Sequence, residues 1–342
     1  MSDGGRRGTR ALTMNALLFD GPSEDASRTR VGAVPIPTLG PVEVLIRVMH
    51  AGINFKDVMM RRGDAGYVPA WPVVPGLEVA GEIVAVGDEV RDLLPGMRVA
   101  ALTNSGGLAE YAVARAALTA QIPDAVSSEV AAVVPGVWST AWLLLHEAAR
   151  ARPGDSILVN SASGGVGTAV AALAELMSEV TLIGVVGSVG RLVKARRVGY
   201  QQAFTRDEQL VDLVRESTGH RGVDIVLDPQ GTGWLDADLR MLAPAGRIIL
   251  FGNASGATLE PIETAKLYAT NGAVAGFSIA GLSATAPTLV RNAMGAIFAS
   301  IGAGDIAAPR VTVAAGLSMA ANLQQHLADG TANTKYVINV AM

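Results

Sequence analysis

The alternation of strand-like and helical segments between residues 156 and 251 constrains the fold more than any other feature of this sequence. Short apolar runs predict strands at residues 156–160, 180–186, 223–227 and 247–251. Helical periodicity predicts helices at residues 166–177, 191–198, 207–217 and 233–242. Alternating strands and helices are typical of an α/β fold with a doubly wound parallel sheet, which binds ligands at the carboxyl ends of its strands.

The first of these strands runs into a glycine loop. The loop reads Ser161-Ala-Ser-Gly-Gly-Val-Gly167 and leads into an Ala/Leu helix. Glycines at such a turn let the backbone approach a pyrophosphate, and the helix N-terminus offers unpaired N–H groups. The candidate cofactor-binding residues of this loop are Ser163, Gly164, Gly165 and Val166. The alternative is that the glycines only pack the helix against the strand.

The end of the second strand distinguishes NAD from NADP. An NAD enzyme places Asp or Glu about 20 residues beyond the glycines, where the carboxylate bonds the ribose 2′-hydroxyl. Residues 184–191 contain no acid here and end in Arg191. Arg191 and Ser188, which follow Gly187, are suited to hold a 2′-phosphate. The pattern therefore indicates NADPH, unless Arg191 is only a solvated residue of the first helical turn.

Composition excludes several function classes. The chain has no cysteine, so it can form no disulfide, thiolate nucleophile or Cys-ligated zinc site. A net charge of −4 without a block of Lys or Arg argues against nucleic-acid binding. No segment approaches the roughly 20 apolar residues of a membrane span, and no secretory leader is recognisable. We expect a cytoplasmic protein that acts on a small molecule.

The rest of the chain predicts a second lobe. From residue 15 to residue 123, turn signals separate short runs that predict strands at residues 42–49, 79–86 and 97–102. After residue 281 the pattern predicts a helix, a strand, a helix and a last strand, which we expect to return to this β-rich lobe. Residues 1–13 are polar and aperiodic, and we expect them to be flexible.

Five motifs follow one another in the order of a known family. They are Ala51-Gly-Ile-Asn-Phe-Lys-Asp57, Pro75-Gly-Leu-Glu-Val-Ala-Gly81, Gly107-Leu-Ala-Glu-Tyr111, Ser163-Gly-Gly-Val-Gly167 and Gly222-Val-Asp-Ile-Val-Leu-Asp228. The sequence resembles the zinc-independent medium-chain dehydrogenase/reductases of the quinone oxidoreductase (zeta-crystallin-like) branch. It is also similar to vesicle amine transport protein and to synthase enoyl-reductase domains.

The resemblance implies a GroES-like catalytic domain at residues 14–135 and 280–342, with a Rossmann domain inserted at residues 136–279. It also implies a homodimer joined by the last Rossmann strand, about residues 273–279. Zinc-dependent relatives carry a Cys where this chain has Asn54 and a His where it has Leu77, so no metal is expected.

The reaction that the resemblance implies is NADPH-dependent hydride transfer to a quinone or to the conjugated C=C of an enone or enoyl thioester. Asn54 would contact cofactor or substrate, and Tyr67 would donate a proton or hydrogen-bond the substrate. The other cofactor contacts implied by the resemblance are Thr140, Asn253, Phe277, Ser278 and Lys335. Thr205 departs from the family, since many quinone reductases have a tyrosine there beside the 2′-phosphate.

Simpler roles remain open for these residues. Asn54 would then satisfy only loop backbone, Tyr67 would wall the cleft, Thr140 would cap a helix, and Lys335 would be a surface lysine. Two alternative functions remain as well: an NADPH-binding protein of the vesicle amine transport type with little turnover, and a stand-alone enoyl reductase of a polyketide or fatty-acid pathway.

Overall fold

The computed structural model of the chain describes residues 12–68, 70–259 and 261–341. Residues 1–11, which belong to the segment expected to be flexible, lie outside the described residues. The described residues form two compact units, which divide between residues 121 and 122 and between residues 311 and 312, with the first unit containing both ends of the described chain.

The first unit begins with antiparallel strands. They are β1 (Thr13–Phe19), β2 (Thr29–Pro35), β3 (Glu43–Gly52), β4 (Glu78–Val86), β5 (Arg98–Leu102), β6 (Tyr111–Arg115) and β7 (Thr119–Gln121). Strands β1 and β2 pair with each other, while β3 pairs with both β4 and β6. The strands predicted near residues 42–49, 79–86 and 97–102 are confirmed as β3, β4 and β5.

One helix interrupts these strands, α1 (Phe55–Arg62), and the sequence patterns did not predict it. Its N-cap residue is Asn54, whose backbone is extended, and the Asp57 carboxylate accepts the Asn54 N–H at 2.8 Å. Gly63 ends the helix in the left-handed conformation, with φ of 77°. The helix has only eight residues and lies among strand-like runs, so its capping residues were not recognised in the sequence.

The second unit alternates strands and helices as predicted, with a further strand at residues 202–205 that the sequence patterns did not predict. Its elements are α2 (Ser128–Ala131), α3 (Ser139–Leu143), β8 (Ser156–Asn160), α4 (Gly165–Ala174), β9 (Thr181–Val186), α5 (Leu192–Arg197), β10 (Gln202–Thr205), α6 (Leu210–Ser217), β11 (Val223–Asp228), α7 (Leu235–Met241), β12 (Leu242–Leu250), α8 (Thr264–Thr270), β13 (Ala273–Gly276), α9 (Ile279–Thr285) and α10 (Pro287–Ala303).

Among the described residues, six parallel strands form the sheet in the order β10-β9-β8-β11-β12-β13. The chain moves outward from β8 to β10 and then returns to the other side of β8 with β11. The carboxyl ends of β8 and β11 therefore flank a topological switch point, where doubly wound sheets bind their ligands. Strand β13 ends at Gly276, so the expectation that Phe277 and Ser278 are strand residues is wrong.

The chain then returns to the first unit with β14 (Val311–Ala315), α11 (Ala320–Ala328) and β15 (Lys335–Asn339). Strand β15 pairs antiparallel with β3, with Val337 opposite Gly52. The two compact units divide near residues 121 and 311, whereas the family resemblance implies domain bounds near 135 and 279. Helix α10 packs against α3 within the second unit, which is why residues 280–311 belong to that unit.

Each unit has an apolar core of its own. The first packs buried side chains of β3, β4 and α11, such as Ile46, Ile83 and Leu323. The second packs the parallel strands against α6 and α7, with Leu158 and Val226 fully buried. No helix in the described part of the chain is both long and apolar enough to cross a membrane.

Candidate functional site

A buried polar cluster forms in the first unit where three elements begin. Asn54 precedes α1, Glu78 begins β4, and Lys335 begins β15. Together with Asp57 we call these residues the Asn54 cluster. Asn54 is 6% exposed, and Asp57 and Glu78 are completely buried. Burial of three polar groups is costly unless each finds partners.

Lys335 provides most of these partners. Its Nζ donates to Asn54 Oδ1 at 2.7 Å, to Glu78 Oε1 at 2.8 Å and to the Ile53 carbonyl at 2.8 Å. An ammonium group has three N–H donors, and three acceptors surround it here. The side chain is 13% exposed, so Lys335 is not a surface lysine. Its resemblance-based role in cofactor binding would require it to give up one of these bonds.

The Asn54 amide is held from both ends. Its oxygen accepts from Lys335, while Nδ2 donates to the Gly52 carbonyl at 3.2 Å and to Glu78 Oε1 at 3.0 Å. Both amide hydrogens therefore already have protein acceptors. A substrate oxygen could receive one only by displacing an existing bond, so the structure places Asn54 in a satisfied network rather than as a free donor.

Asp57 anchors the start of α1. Its carboxylate accepts the N–H groups of Asn54 at 2.8 Å and Gly76 at 3.1 Å. Burial raises the pKa of Asp57 from 3.8 to about 6, although these two bonds and the charges of Lys335 and Lys56 oppose the increase. Lys56 donates to the Asn104 carbonyl at 2.8 Å, and burial lowers the pKa of its ammonium.

Tyr67 lies in the loop that follows α1. Its backbone N–H donates to the Asp64 carbonyl at 3.1 Å, and its ring packs against the apolar core of the first unit. Burial, followed by the charge of Asp64, raises the pKa of the phenol. The hydroxyl is therefore protonated at neutral pH. In the described ranges no hydrogen bond joins Tyr67 to Asn54, the other expected catalytic residue.

The glycine loop of the second unit packs closely against α4 and leaves the N-terminus of this helix without a capping side chain. A Cβ on Gly167 would lie 2.5 Å from the Ala162 carbonyl oxygen, so this glycine permits close packing of α4 against the loop. Gly164 is the N-cap of α4 and has no side chain to occupy the helix terminus. The first N–H groups of a helix lack intrahelical partners, and Gly165 and Val166 lie there. The N-terminus of α4 thus retains the donors that a phosphate would bind.

Arg191 connects the end of β9 with the glycine loop. Its Nη1 donates to Ser163 Oγ at 3.4 Å, and its backbone N–H bonds the Ser188 carbonyl at 3.0 Å. Ser188 is exposed, and a Cβ on Gly187 would meet no atom within 4 Å. The residues predicted for a 2′-phosphate therefore lie together, beside an open stretch of backbone.

Lys194 adds a second cation that the sequence patterns did not single out. It follows Arg191 by three residues, a spacing that places both side chains on one helical face. Burial and the positive charge of Arg191 lower the pKa of Lys194. The i, i+3 spacing was the signal available in the sequence.

Thr205, which departs from the family, has a local role. Its Oγ1 donates to the Asp207 carboxylate, which also accepts the Gln209 N–H at 3.0 Å.

Three further expected residues occupy local structural positions. Thr140 is buried inside α3, which continues directly from a π turn at residues 134–138, so the helix-cap alternative is wrong. Asn253 Nδ2 donates to the Ala257 carbonyl at 2.9 Å within its own loop. Ser278 Oγ accepts the Gly281 N–H at 3.2 Å and caps α9.

Phe277 follows the last strand of the sheet, and its N–H bonds the Leu250 carbonyl at 2.8 Å. The bond aligns the backbone after β13 with the end of β12. The residue is half-buried. It lies beside the carboxyl end of a strand, outside the strand to which the sequence analysis assigned it.

A second buried polar group, which sequence reasoning missed, lies near the switch point of the sheet. We call Asn160, Arg206, Asp228 and Asp238 the acid cluster. Asn160 Nδ2 donates to Asp238 Oδ1 at 3.2 Å, and Arg206 Nη2 lies 3.4 Å from Asn160 Oδ1. Burial raises the pKa of Asp228 to about 6, and burial together with the Asp228 charge raises the pKa of Asp238 well above its ordinary range. The two carboxyl groups of the cluster therefore keep a proton to a higher pH than exposed aspartates do.

The two halves of the chain match known domain families. Residues 40–124 match the alcohol dehydrogenase GroES-like domain, and residues 165–294 match the zinc-binding dehydrogenase domain. Human synaptic vesicle membrane protein VAT-1 homolog-like is 34% identical over 296 residues, which cover 82% of this chain and 70% of that protein. The quinone oxidoreductase of Lama guanicoe is 34% identical over 265 residues, with 76% and 78% coverage.

Solved structures show the same relationship. The structure of the human VAT-1 homolog-like protein matches with a TM-score of 0.85 and 31% identity, over 97% of this chain and 99% of that one. Escherichia coli quinone oxidoreductase complexed with NADPH matches with a TM-score of 0.85 and 25% identity, over 95% and 99%.

These matches, together with a GroES-like sheet and a parallel-sheet unit with a glycine loop, define an oxidoreductase of the medium-chain dehydrogenase/reductase type. The chain belongs to this family, in the branch that contains the quinone oxidoreductases and the VAT-1 homologs.

Proposed function

We propose that this protein is a zinc-independent, NADPH-dependent reductase that transfers hydride to a quinone or to a conjugated C=C bond. Bound NADPH supplies the hydride. The residues of the chain hold the cofactor, orient the substrate and deliver the proton.

The observation that carries this proposal is the contact of the Arg191 guanidinium with Ser163 of the glycine loop. No carboxylate lies in residues 184–191 to repel a 2′-phosphate. Arg191 and Lys194 instead place two positive charges near this end of β9, and the pKa of Lys194 is lowered partly by Arg191. An anion bound between these cations would relieve their mutual repulsion. The NADPH complex of the Escherichia coli relative supports the same choice.

The N-terminus of α4 is the proposed site of the pyrophosphate. Gly165 and Val166 offer N–H groups there, Gly164 adds no side chain to the helix terminus, and Gly187 leaves open backbone at the end of the neighbouring strand. We assign Thr140, Asn253, Phe277 and Ser278 to the nicotinamide end, as the family resemblance implies.

In the first unit we propose that Tyr67 donates the proton and that the Asn54 cluster shapes the substrate site. The raised pKa of the Tyr67 phenol keeps its proton in place at neutral pH. Lys335 and Glu78 fix the Asn54 amide in one orientation, so Asn54 would form a rigid part of the wall of the substrate site. A side chain held in one position supports catalysis better than a mobile one does.

The expected homodimer is part of the proposal. Strand β13 is an edge of the described parallel sheet, and Tyr268, in the helix α8 that precedes this strand, is 80% exposed. An edge strand that follows a helix with an exposed aromatic side chain is suited to pair with a second copy. The domain bounds 14–135, 136–279 and 280–342 and a cytoplasmic location stay predictions of the sequence.

The proposed function is tested by binding and turnover together. NADPH and NADH are titrated by fluorescence, and NADPH oxidation is followed with a quinone, an alkenal and a crotonyl thioester. Turnover with any of the three supports a reductase, and the preferred acceptor separates quinone from enoyl reduction. Binding without turnover would instead favour a cofactor-binding protein of the vesicle amine transport type. Failure to bind NADPH would reject the proposal.

A further inference from the structure

Gln230 is hydrogen-bonded on three sides, although no motif in the sequence marks it. Its N–H donates to Asp228 Oδ1 at 2.8 Å, its side-chain Nε2 donates to Ser161 Oγ at 2.9 Å, and its carbonyl accepts from Ser255 Oγ at 2.6 Å. These partners lie at the ends of three neighbouring strands of the parallel sheet, β11, β8 and β12. One residue therefore connects three loops at the carboxyl edge of the sheet.

The bond to Ser161 stabilises a residue with an unusual backbone. Ser161 begins the glycine loop with φ of 60°, the left-handed region that non-glycine residues rarely adopt. Its carbonyl accepts the Gly164 N–H at 2.8 Å, which closes the turn before α4. Backbone of this kind persists where its surroundings hold it in place. The Gln230 side chain is one such support, since it anchors the Ser161 hydroxyl.

The bond to Ser255 extends the connection to the Asn253 loop. Ser255 Oγ also lies 3.1 Å from Asn253 Oδ1. Gly231 permits this approach, because a Cβ there would lie 2.6 Å from Asn253 Oδ1 and its φ is 89°. The turn at residues 228–231 thus contacts both loops that we propose to bind the cofactor.

Asp228 fixes the turn itself. Asp228 is buried and accepts the N–H of Gln230 two residues later, which closes a local turn. The Gln230 backbone is therefore anchored to Asp228, the buried last residue of β11, and this anchor fixes where its side chain begins.

We infer that Gln230 is a positioning residue for the cofactor, which holds the glycine loop and the Asn253 loop in the geometry that binds the dinucleotide. The inference rests on the proposed function. Gln230 acts through Ser161 on the pyrophosphate side and through Ser255 on the Asn253 side. Because it does not act through Arg191, which we propose to bind the 2′-phosphate, Gln230 affects NADPH and NADH alike.

The test uses Gln230→Leu, which keeps the approximate side-chain size, removes the side-chain bond to Ser161 and leaves the two backbone bonds of residue 230 in place, together with Ser161→Ala and the double variant. Either single change is expected to weaken NADPH and NADH binding about fivefold to tenfold. The double variant should be little weaker than either single one, because both remove the same bond. Gln209→Leu, at an exposed glutamine of the same unit, is the matched control and should bind as wild type does.

Hydrogen exchange measures the support that Gln230 gives to the glycine loop without any bound cofactor. The Gly164 amide, which bonds the Ser161 carbonyl, should exchange at least about tenfold faster in Gln230→Leu than in the wild type, while amides in the β8 and β11 strands keep their protection. Unchanged exchange at Gly164, or additive effects on the Kd, would overturn the inference. A wild type that binds neither cofactor would reject the proposed function, and the exchange result would still decide whether Gln230 supports the loop.

Discussion

Lys335 and Glu78 are 257 residues apart in the sequence, yet Lys335 Nζ lies 2.8 Å from Glu78 Oε1. Glu78 is completely buried, and the Lys335 ammonium is a cation that balances its charge. A buried ion pair adds little net stability over an apolar pair, but removal of one partner leaves an unpaired charge.

Lys335→Met should therefore destabilise the protein by about 3–5 kcal/mol, since Glu78 loses its cation. Chemical denaturation measures the change in the free energy of unfolding. The double variant Lys335→Met/Glu78→Gln removes both charges and should recover a substantial part of the loss. A single variant as stable as the wild type would show that the pair does not compensate the buried carboxylate.

Arg191→Ala should remove most of the preference for NADPH over NADH, which we expect to be at least about tenfold, or about 1.4 kcal/mol. The guanidinium that binds the 2′-phosphate is lost, whereas NADH has no such group. Fluorescence titration with both cofactors gives the ratio. Arg196→Ala, at an exposed arginine of the same region, is the control and should keep the preference. Equal affinities in the wild type would contradict the assignment.

Tyr67→Phe should lower kcat about tenfold to a thousandfold if the phenol donates the proton, the range between a modest contact and a full oxyanion donor. NADPH affinity should not change. Steady-state kinetics with the preferred acceptor give kcat and KM separately. A decrease of less than about threefold would mean that the ring only walls the site, because phenylalanine preserves its packing.

Activity should survive prolonged treatment with EDTA. The Lys335 ammonium already bonds the oxygens of Asn54, Glu78 and Ile53 at 2.7–2.8 Å. A divalent ion could bind these oxygens only by displacing the ammonium. NADPH oxidation before and after chelation is the measurement. Loss of turnover that added zinc restores would reject the zinc-independent assignment.

The stability that Asp57 contributes should depend on pH. Its pKa rises from 3.8 to about 6 on folding, so its contribution is fully present below pH 3.8 and is lost as the pH rises through 6. The whole change corresponds to about 3 kcal/mol. Between about pH 5 and 8, the unfolding free energy of the wild type relative to Asp57→Asn should fall by about 1 kcal/mol. A parallel series with the exposed Asp88→Asn should show no such trend.

The sequence predicted the parts of the structure that depend on neighbours in the chain. The strand, glycine loop and helix at β8 and α4 follow from local periodicity and turn chemistry, and the approach of Arg191 to the loop follows from the parallel sheet. Parallel strands bring their carboxyl ends together whatever the details of packing, which is why residues 28 positions apart could be assigned to one site.

The parts that depend on distant packing could not be predicted. Asn54 was a candidate donor, but only the return of β15 shows that Lys335 and Glu78 occupy its amide. The acid cluster joins side chains from residues 160 to 238, and no spacing rule brings Asp228 and Asp238 together with Arg206. Helix α1 was missed because its capping residues lie within a motif that reads as the end of a strand.

The return of β15 also sets the order in which the chain can fold on the ribosome. Residues 122–311 are contiguous, so the parallel-sheet unit can form as soon as its last residue emerges. The first unit must wait for Lys335, which is made 281 residues after Asn54. Until then the nascent chain carries the Glu78 carboxylate without its cation, and a ribosome that stops before β15 releases a protein whose second unit is complete and whose first unit is not.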